Sequence, residues 1–155
     1  MSKYEAKLKE MGIVLPELVA PAANFIPYRI AGDLVYLSGS LPTKLDGTNY
    51  TGKVGSDLTL DEGYQAARTC GIRLLSCLKQ ACGGNLDKVD KVIKLLGFVA
   101  CAPDFYEPHK VVNGCSDLLV EAFGEAGRHA RSAIPTCQLP MNVSVEIELI
   151  VQLKK

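Results

Sequence analysis

The chain has no charge excess, no long apolar run, no paired-cysteine motif and almost no histidine. Each absence removes a class of function. Its 17 basic and 17 acidic residues cancel, so the overall positive field that nucleic-acid and anionic-membrane binders use is missing. Nucleic acid is therefore not an expected partner, although balance does not exclude a local patch. No apolar stretch approaches the roughly 20 residues of a membrane-crossing helix, so no membrane association is expected. The opening residues, MSKYEAKLKEMG, are charged and carry no apolar signal core, which predicts a cytoplasmic protein. The two histidines, His109 and His129, stand isolated in the sequence, without the clustering of a zinc site. Neither a metal nor a cofactor is expected. A phosphate-cradling G-x-x-x-x-G-K-S/T is absent, and so is the G-x-S-x-G elbow of a nucleophilic serine.

Six cysteines are present: Cys70, Cys77, Cys82, Cys101, Cys115 and Cys137. None forms C-x-x-C. Four fall in predicted helices and two in or near predicted strands, which suits reduced thiols used as small apolar side chains. At 155 residues and 48% apolar composition, the whole chain, 1–155, reads as one domain with residues 1–23 as an N-terminal extension.

The clearest strand signal lies near the C-terminus. Val143, Val145, Ile147, Leu149, Val151 and Leu153 alternate with Ser144, Glu146, Glu148, Ile150 and Gln152, the period of a strand with two unlike faces. Leu139-Pro140-Met141-Asn142 reads as a turn. Ser132–Gln138 before it is predicted to pair antiparallel with this strand, which puts Arg131 at the start of a hairpin. Upstream, Tyr4–Met11 reads as a short helix stopped by Gly12, and 13–23 as an extended approach. Two apolar runs, FIPYRI and LVYLSG, meet at Ala31-Gly32-Asp33 in a tight hairpin, and Pro27 marks the first as an edge or irregular strand. Residues 39–57 form a long glycine-punctuated loop, a length that favours function.

Thr59-Leu60-Asp61-Glu62 is a capping box opening an amphipathic helix that Gly83 and Gly84 end. Val89–Cys101 reads as a largely buried strand. Pro108 opens a further helix that Gly124 closes. The order β-β-α-β-α-β-β predicts an α+β, two-layer fold with both helices on one face of a mixed sheet. The sheet's other face would stay bare, and a large bare apolar face predicts self-association with clefts between subunits.

Among residues able to carry chemistry, Arg131 stands first, because a guanidinium matches a carboxylate bidentately. The alternative is an internal ion pair with Glu146 or Glu148. Those two carboxylates share a strand face; one could activate water near Arg131, or both could simply face solvent. Ser38 and Gly39 end a strand and can line a pocket, as can Tyr28. Asn113 and Ser116 are either pocket groups or helix surface. Cys101 and Cys137 have no histidine partner in the sequence.

YLSGSLP at Tyr36–Pro42, FVACAPDF at Phe98–Phe105 and ARSAIPTCQLPMNVSVEIELIV at Ala130–Val151 together resemble the three signature regions of the Rid family. These are reactive intermediate deaminases, also called the YjgF family. The lead-in GEAGRHARSA looks like a subgroup with a longer second helix and an N-terminal extension. The resemblance implies a chorismate-mutase-like fold and a homotrimer with ligand clefts between subunits. It implies hydrolysis of 2-imino or enamino acids to 2-keto acids and ammonia, without metal or cofactor. Other family members are named endoribonucleases, of the liver perchloric-acid-soluble type, and a non-catalytic carboxylate-binding trimer is a third possibility. By motif, Arg131 matches the carboxylate clamp and Glu146 the residue that positions or activates water. Tyr28, Ser38, Gly39 and Asn113 match substrate-lining positions. Where deaminating members usually carry cysteine, this chain has Ala133, and Ile134-Pro135-Thr136 also departs from their pattern.

Overall fold

The computed structural model describes residues 2–21 and 23–155; of the expected extension 1–23, Met1 and Ala22 lie outside the described residues. Five strands form one sheet: β1 (Tyr28–Ala31), β2 (Leu34–Ser40), β3 (Val89–Ala100), β4 (Ala130–Thr136) and β5 (Val145–Leu153). Their spatial order is β1-β2-β5-β3-β4, with β3 and β4 parallel and the other neighbours antiparallel. Helices α2 (Leu60–Ala81) and α3 (Pro108–Phe123) pack on each other and on one face of this mixed sheet. The fold is the expected α+β, chorismate-mutase-like arrangement.

The local signals explain these elements. Thr59 Oγ accepts from the Glu62 amide at 3.1 Å while the Glu62 carboxylate accepts from the Thr59 amide at 2.7 Å, so the α2 capping box is complete. Pro108 occupies the first turn of α3, where a missing N–H costs nothing. Helix α1 (Lys3–Glu10) starts at its own capping box, Ser2 with Glu5. The Asp87 carboxylate accepts from the Lys3 and Tyr4 amides, and the Tyr4 ring meets Phe123 edge-on at 4.7 Å. These contacts tie the N-terminal segment to the core.

The expected β4–β5 hairpin does not form. Ala130–Thr136 pairs in parallel with Lys94–Ala100 instead, as a β3–α3–β4 crossover requires. The connection Cys137–Ser144 turns through Met141 and Asn142, both at positive φ, and delivers β5 into the centre of the sheet between β2 and β3. Pro135 explains which strand takes the edge. It has no N–H to donate and cannot serve a strand bonded on both sides, so β4 is peripheral, and Arg131 lies inside an edge strand. Pro27, just before β1, marks the other edge as expected.

The odd residues Val145, Ile147, Leu149 and Val151 are buried against the helices. Glu146, Glu148 and Ile150 therefore lie on the open face, where pairing places them with Phe98, Leu96 and Lys94. Tyr36 and Ile134, 44% and 42% exposed, share that face through their pairing with Ile150 and Phe98. The loop after β2 is less irregular than its glycines suggest. Val54 bridges to Cys101 and Thr51 to Val143, so it is laced to the sheet's end.

Helices α2 and α3 approach closely at Gly114. A Cβ there would sit on the Tyr64 carbonyl and against the Arg68 amide, backbone groups with no rotamer to yield. Gly114→Ala should cost about 1–3 kcal/mol through overpacking, read as a lower urea midpoint at unchanged m-value. Unaltered stability would mean the two helices are not this tightly seated.

Candidate active site

The chain carries two groups of candidate residues, one on each side of the sheet. Arg131 pairs in register with Leu95, a core residue, so its side chain leaves β4 on the helical side. It donates from Nη1 to Asn113 Oδ1 at 2.7 Å and to Ser116 Oγ at 3.2 Å, and from Nη2 to the His109 carbonyl at 3.3 Å. Asn113 and Ser116 are one turn apart on α3, which puts both on the face above β4. All three acceptors are neutral. Among the described residues no carboxylate pairs with Arg131, so the internal ion pair with Glu146 or Glu148 does not exist within the chain. A guanidinium has five N–H groups; three are engaged, leaving Nε–H and one on Nη2 for a ligand.

Sequence reasoning missed one member of this group. His129, apparently isolated, places Nε2 2.9 Å from Ser116 Oγ and Nδ1 2.6 Å from the Gly127 carbonyl. Its signal was the alternation His129-x-Arg131, two residues on the same side of an extended segment, opposite Asn113-x-x-Ser116 on a helix. Burial, with a smaller contribution from Arg131, holds the imidazole below its ordinary pKa, so the ring is neutral at pH 7. Ala133, two residues beyond Arg131 on the same side, packs partly into the core.

The second group lies on the open face. Glu146 is half-buried, and its carboxyl is pushed above the usual carboxylate range, first by burial and then by the Glu148 charge. Gly39 lies directly against this neighbour: a Cβ there would collide with the Glu146 carboxylate as it is placed. Ser38 donates its hydroxyl to the Ile26 carbonyl at 2.6 Å, and its amide bonds the Pro27 carbonyl. Tyr28 pairs with Leu37 at the start of β1. An open groove of about 850 Å³ runs here, lined by Phe25, Tyr28, Tyr36, Ser38 and Glu148. The structure thus brings Arg131 to Asn113, Glu146 to Gly39, and Ser38 and Tyr28 to a groove shared with Glu148. Within one chain the two sets stand on opposite faces with β3 between them.

The thiols join neither set. All six are free. Burial raises Cys70 well above its ordinary value and pushes Cys115 up to about 12, the behaviour of inert core residues.

Comparison with known proteins agrees with the fold. Residues 5–153 match the family model described as "YjgF/chorismate_mutase-like, putative endoribonuclease". Protein TCP17 of Trypanosoma cruzi is 44% identical over 152 residues, covering 97% of this chain and 94% of that protein. A protein of unknown function from Agrobacterium tumefaciens is 44% identical with a TM-score of 0.89, over 97% of this chain and 91% of its own. A structure from Shewanella oneidensis, titled a putative endoribonuclease, has 37% identity and a TM-score of 0.92, over 97% and 99%. With a signature that spans nearly all its residues and a fold shared end to end with these relatives, the chain belongs to the YjgF, or Rid, family.

Proposed function

We propose that this protein hydrolyses small 2-imino or enamino acids to 2-keto acids and ammonia, in clefts between the subunits of a homotrimer. The observation that carries this reading is the state of Arg131: a half-buried guanidinium fixed by three neutral acceptors, its charge unpaired and two donors unspent. That is a preorganised receptor for a carboxylate. Water adds to the C=N carbon, the nitrogen gains protons, and the C–N bond breaks to give the keto acid and ammonia. Arg131 fixes the acid end and Asn113 holds the guanidinium. Glu146 in its ionised form orients and deprotonates the attacking water. Since Glu146 and Arg131 are on opposite faces of one chain, a complete site needs Arg131 of one copy and Glu146, Ser38, Gly39 and Tyr28 of another. The partly apolar open face, with Tyr36, Phe98 and Ile134, is the surface that such an assembly would cover.

A second reading, endoribonuclease, is favoured by the family description. The balanced charge opposes it, because RNA binding rests on phosphate neutralisation. RNA cleavage that copurifies with the protein and vanishes in Arg131→Ala would install it in place of the first.

The deciding experiment generates imines from several amino acids with an amino-acid oxidase or dehydratase and follows their loss. Wild type should accelerate it. Arg131→Ala should lose about 3 kcal/mol of transition-state stabilisation, roughly a hundredfold in kcat/KM, and Arg131→Lys should recover only part of it. No acceleration for any amino acid would sink the reading.

The pH profile has a definite sign. Glu146 must be ionised to act, and its carboxyl is shifted upward, so kcat/KM should fall on acidification through a value above the ordinary range of a glutamate. Glu146→Gln should abolish that limb and lower kcat. In sedimentation equilibrium wild type should run as three chains, and Ile134→Glu should weaken both assembly and activity; a monomeric, fully active wild type would exclude a shared site.

A further inference from the structure

The hydrogen bonds around Arg131 form a directional chain that reaches beyond the residues contacting it. The Gly127 carbonyl can only accept, so His129 Nδ1 carries the ring proton at the 2.6 Å contact. In the neutral ring Nε2 is then an acceptor, and the 2.9 Å contact with Ser116 must run from the serine hydroxyl to Nε2. The Ser116 proton being committed there, its oxygen lone pairs point to the other side, where Arg131 Nη1 donates at 3.2 Å. A backbone carbonyl thus fixes a tautomer, the tautomer fixes a hydroxyl, and the hydroxyl fixes one blade of the guanidinium. Asn113 Oδ1 takes the remaining Nη1 hydrogen at 2.7 Å.

We propose that Ser116 and His129 are positioning residues for substrate affinity: they lock the Arg131 fork so that Nε–H and the spare Nη2–H project together at a small 2-oxo or 2-imino carboxylate. This rests on the reading of Arg131 as the carboxylate clamp. The arrangement has a physical logic. An arginine side chain carries a large rotamer entropy, and immobilising it before the ligand arrives removes that cost from binding. Neutral acceptors do so without discharging the cation, which a carboxylate partner would.

The same chain makes His129 a reporter of the clamp. Arg131 is the charge that acts on the ring. The other charges nearby are engaged elsewhere: Asp117 accepts from Tyr64 at 2.8 Å, Glu125 pairs with Arg128 at 3.0 Å, and Lys110 pairs with Glu107. A carboxylate seated on Arg131 offsets the positive field on the imidazole, so acid binding raises the His129 pKa.

The test uses 2-oxobutyrate as probe, calorimetry for affinity and histidine ring NMR for titration, on the full chain. Ser116→Ala and His129→Leu should each weaken 2-oxobutyrate binding roughly tenfold, with the larger effect on KM than on kcat and with thermal stability nearly unchanged. Ser116→Thr, which keeps the hydroxyl, should restore affinity. In wild type, saturating 2-oxobutyrate should move the His129 titration to higher pH. Wild-type affinity in Ser116→Ala, or a His129 titration indifferent to a bound acid, would overturn the proposal and leave the Arg131 clamp standing. Failure of the wild-type protein to bind any 2-oxo acid would overturn both.

Discussion

Helix α3 is seated by the absence of two side chains, and the candidate site follows from where it is seated. At Gly97 on β3 a Cβ would run into the methyls of Val112, and at Gly114 one would run into the backbone of α2. These contacts press α3 against the sheet below and against α2 beside it. Close-packed interiors do not drift by fractions of an ångström, so the rotation of α3 about its axis is fixed. Asn113 lies between those two contact points and Ser116 one turn on. Their direction is therefore set by core packing, and the parallel register of β4 against β3 brings Arg131 beneath them. A polar site on a mobile loop would need its geometry re-established at each encounter; here it is inherited from the core.

The distribution of charge across the sheet carries a second constraint. Among the described residues Arg131 has no carboxylate partner and Glu146 no cation partner, and the two lie on opposite faces of one thin layer. Each would relax its electrostatic situation by meeting the other, and the topology forbids it: β3 intervenes, and alternation points residue 146 away from the helices whenever residues 145 and 147 face them. What the fold withholds within a chain remains open between chains. A cleft assembled from two copies would bring unlike charges near each other with space for a small anion and water between them, which is the electrostatic content of the proposed function.

Much of this was legible in the sequence because it depends on near neighbours. The capping box at Thr59, the proline at the start of α3, the edge position of β1 after Pro27 and the period-two pattern of β5 all follow from spacings of a few residues. The β4–β5 connection was misread for a related reason. Two strands joined by a turn suggest a hairpin, yet partner choice depends on the whole sheet, and the competing β3–α3–β4 crossover claimed β4 first. Pro135 was the clue, since a proline in that segment needed an edge. Arg131, Asn113 and Ser116 were singled out by residue type and motif. His129 was not, because an isolated histidine is ordinary at the sequence level. Only the folded register of α3 over the β4 approach joins groups 13 residues apart into one hydrogen-bonded line.

Ala133 bears on how the proposed chemistry can run. It occupies the position, two residues beyond Arg131, where the resemblance to deaminating Rid members led us to expect a cysteine. Cys70 and Cys115 do not substitute, since they are sealed in the core with their thiols held protonated, and Cys137 is exposed beyond the end of β4. The contacts of Arg131 are to oxygen acceptors and not to a thiolate. Imine hydrolysis does not require one: the C=N carbon is already electrophilic, and anchoring its carboxylate places it for direct attack by water. The reaction then depends on oxygen and nitrogen acid–base groups alone. Glu146, raised toward the working pH by burial, and Arg131, held in place by neutral partners, are what this fold supplies for it.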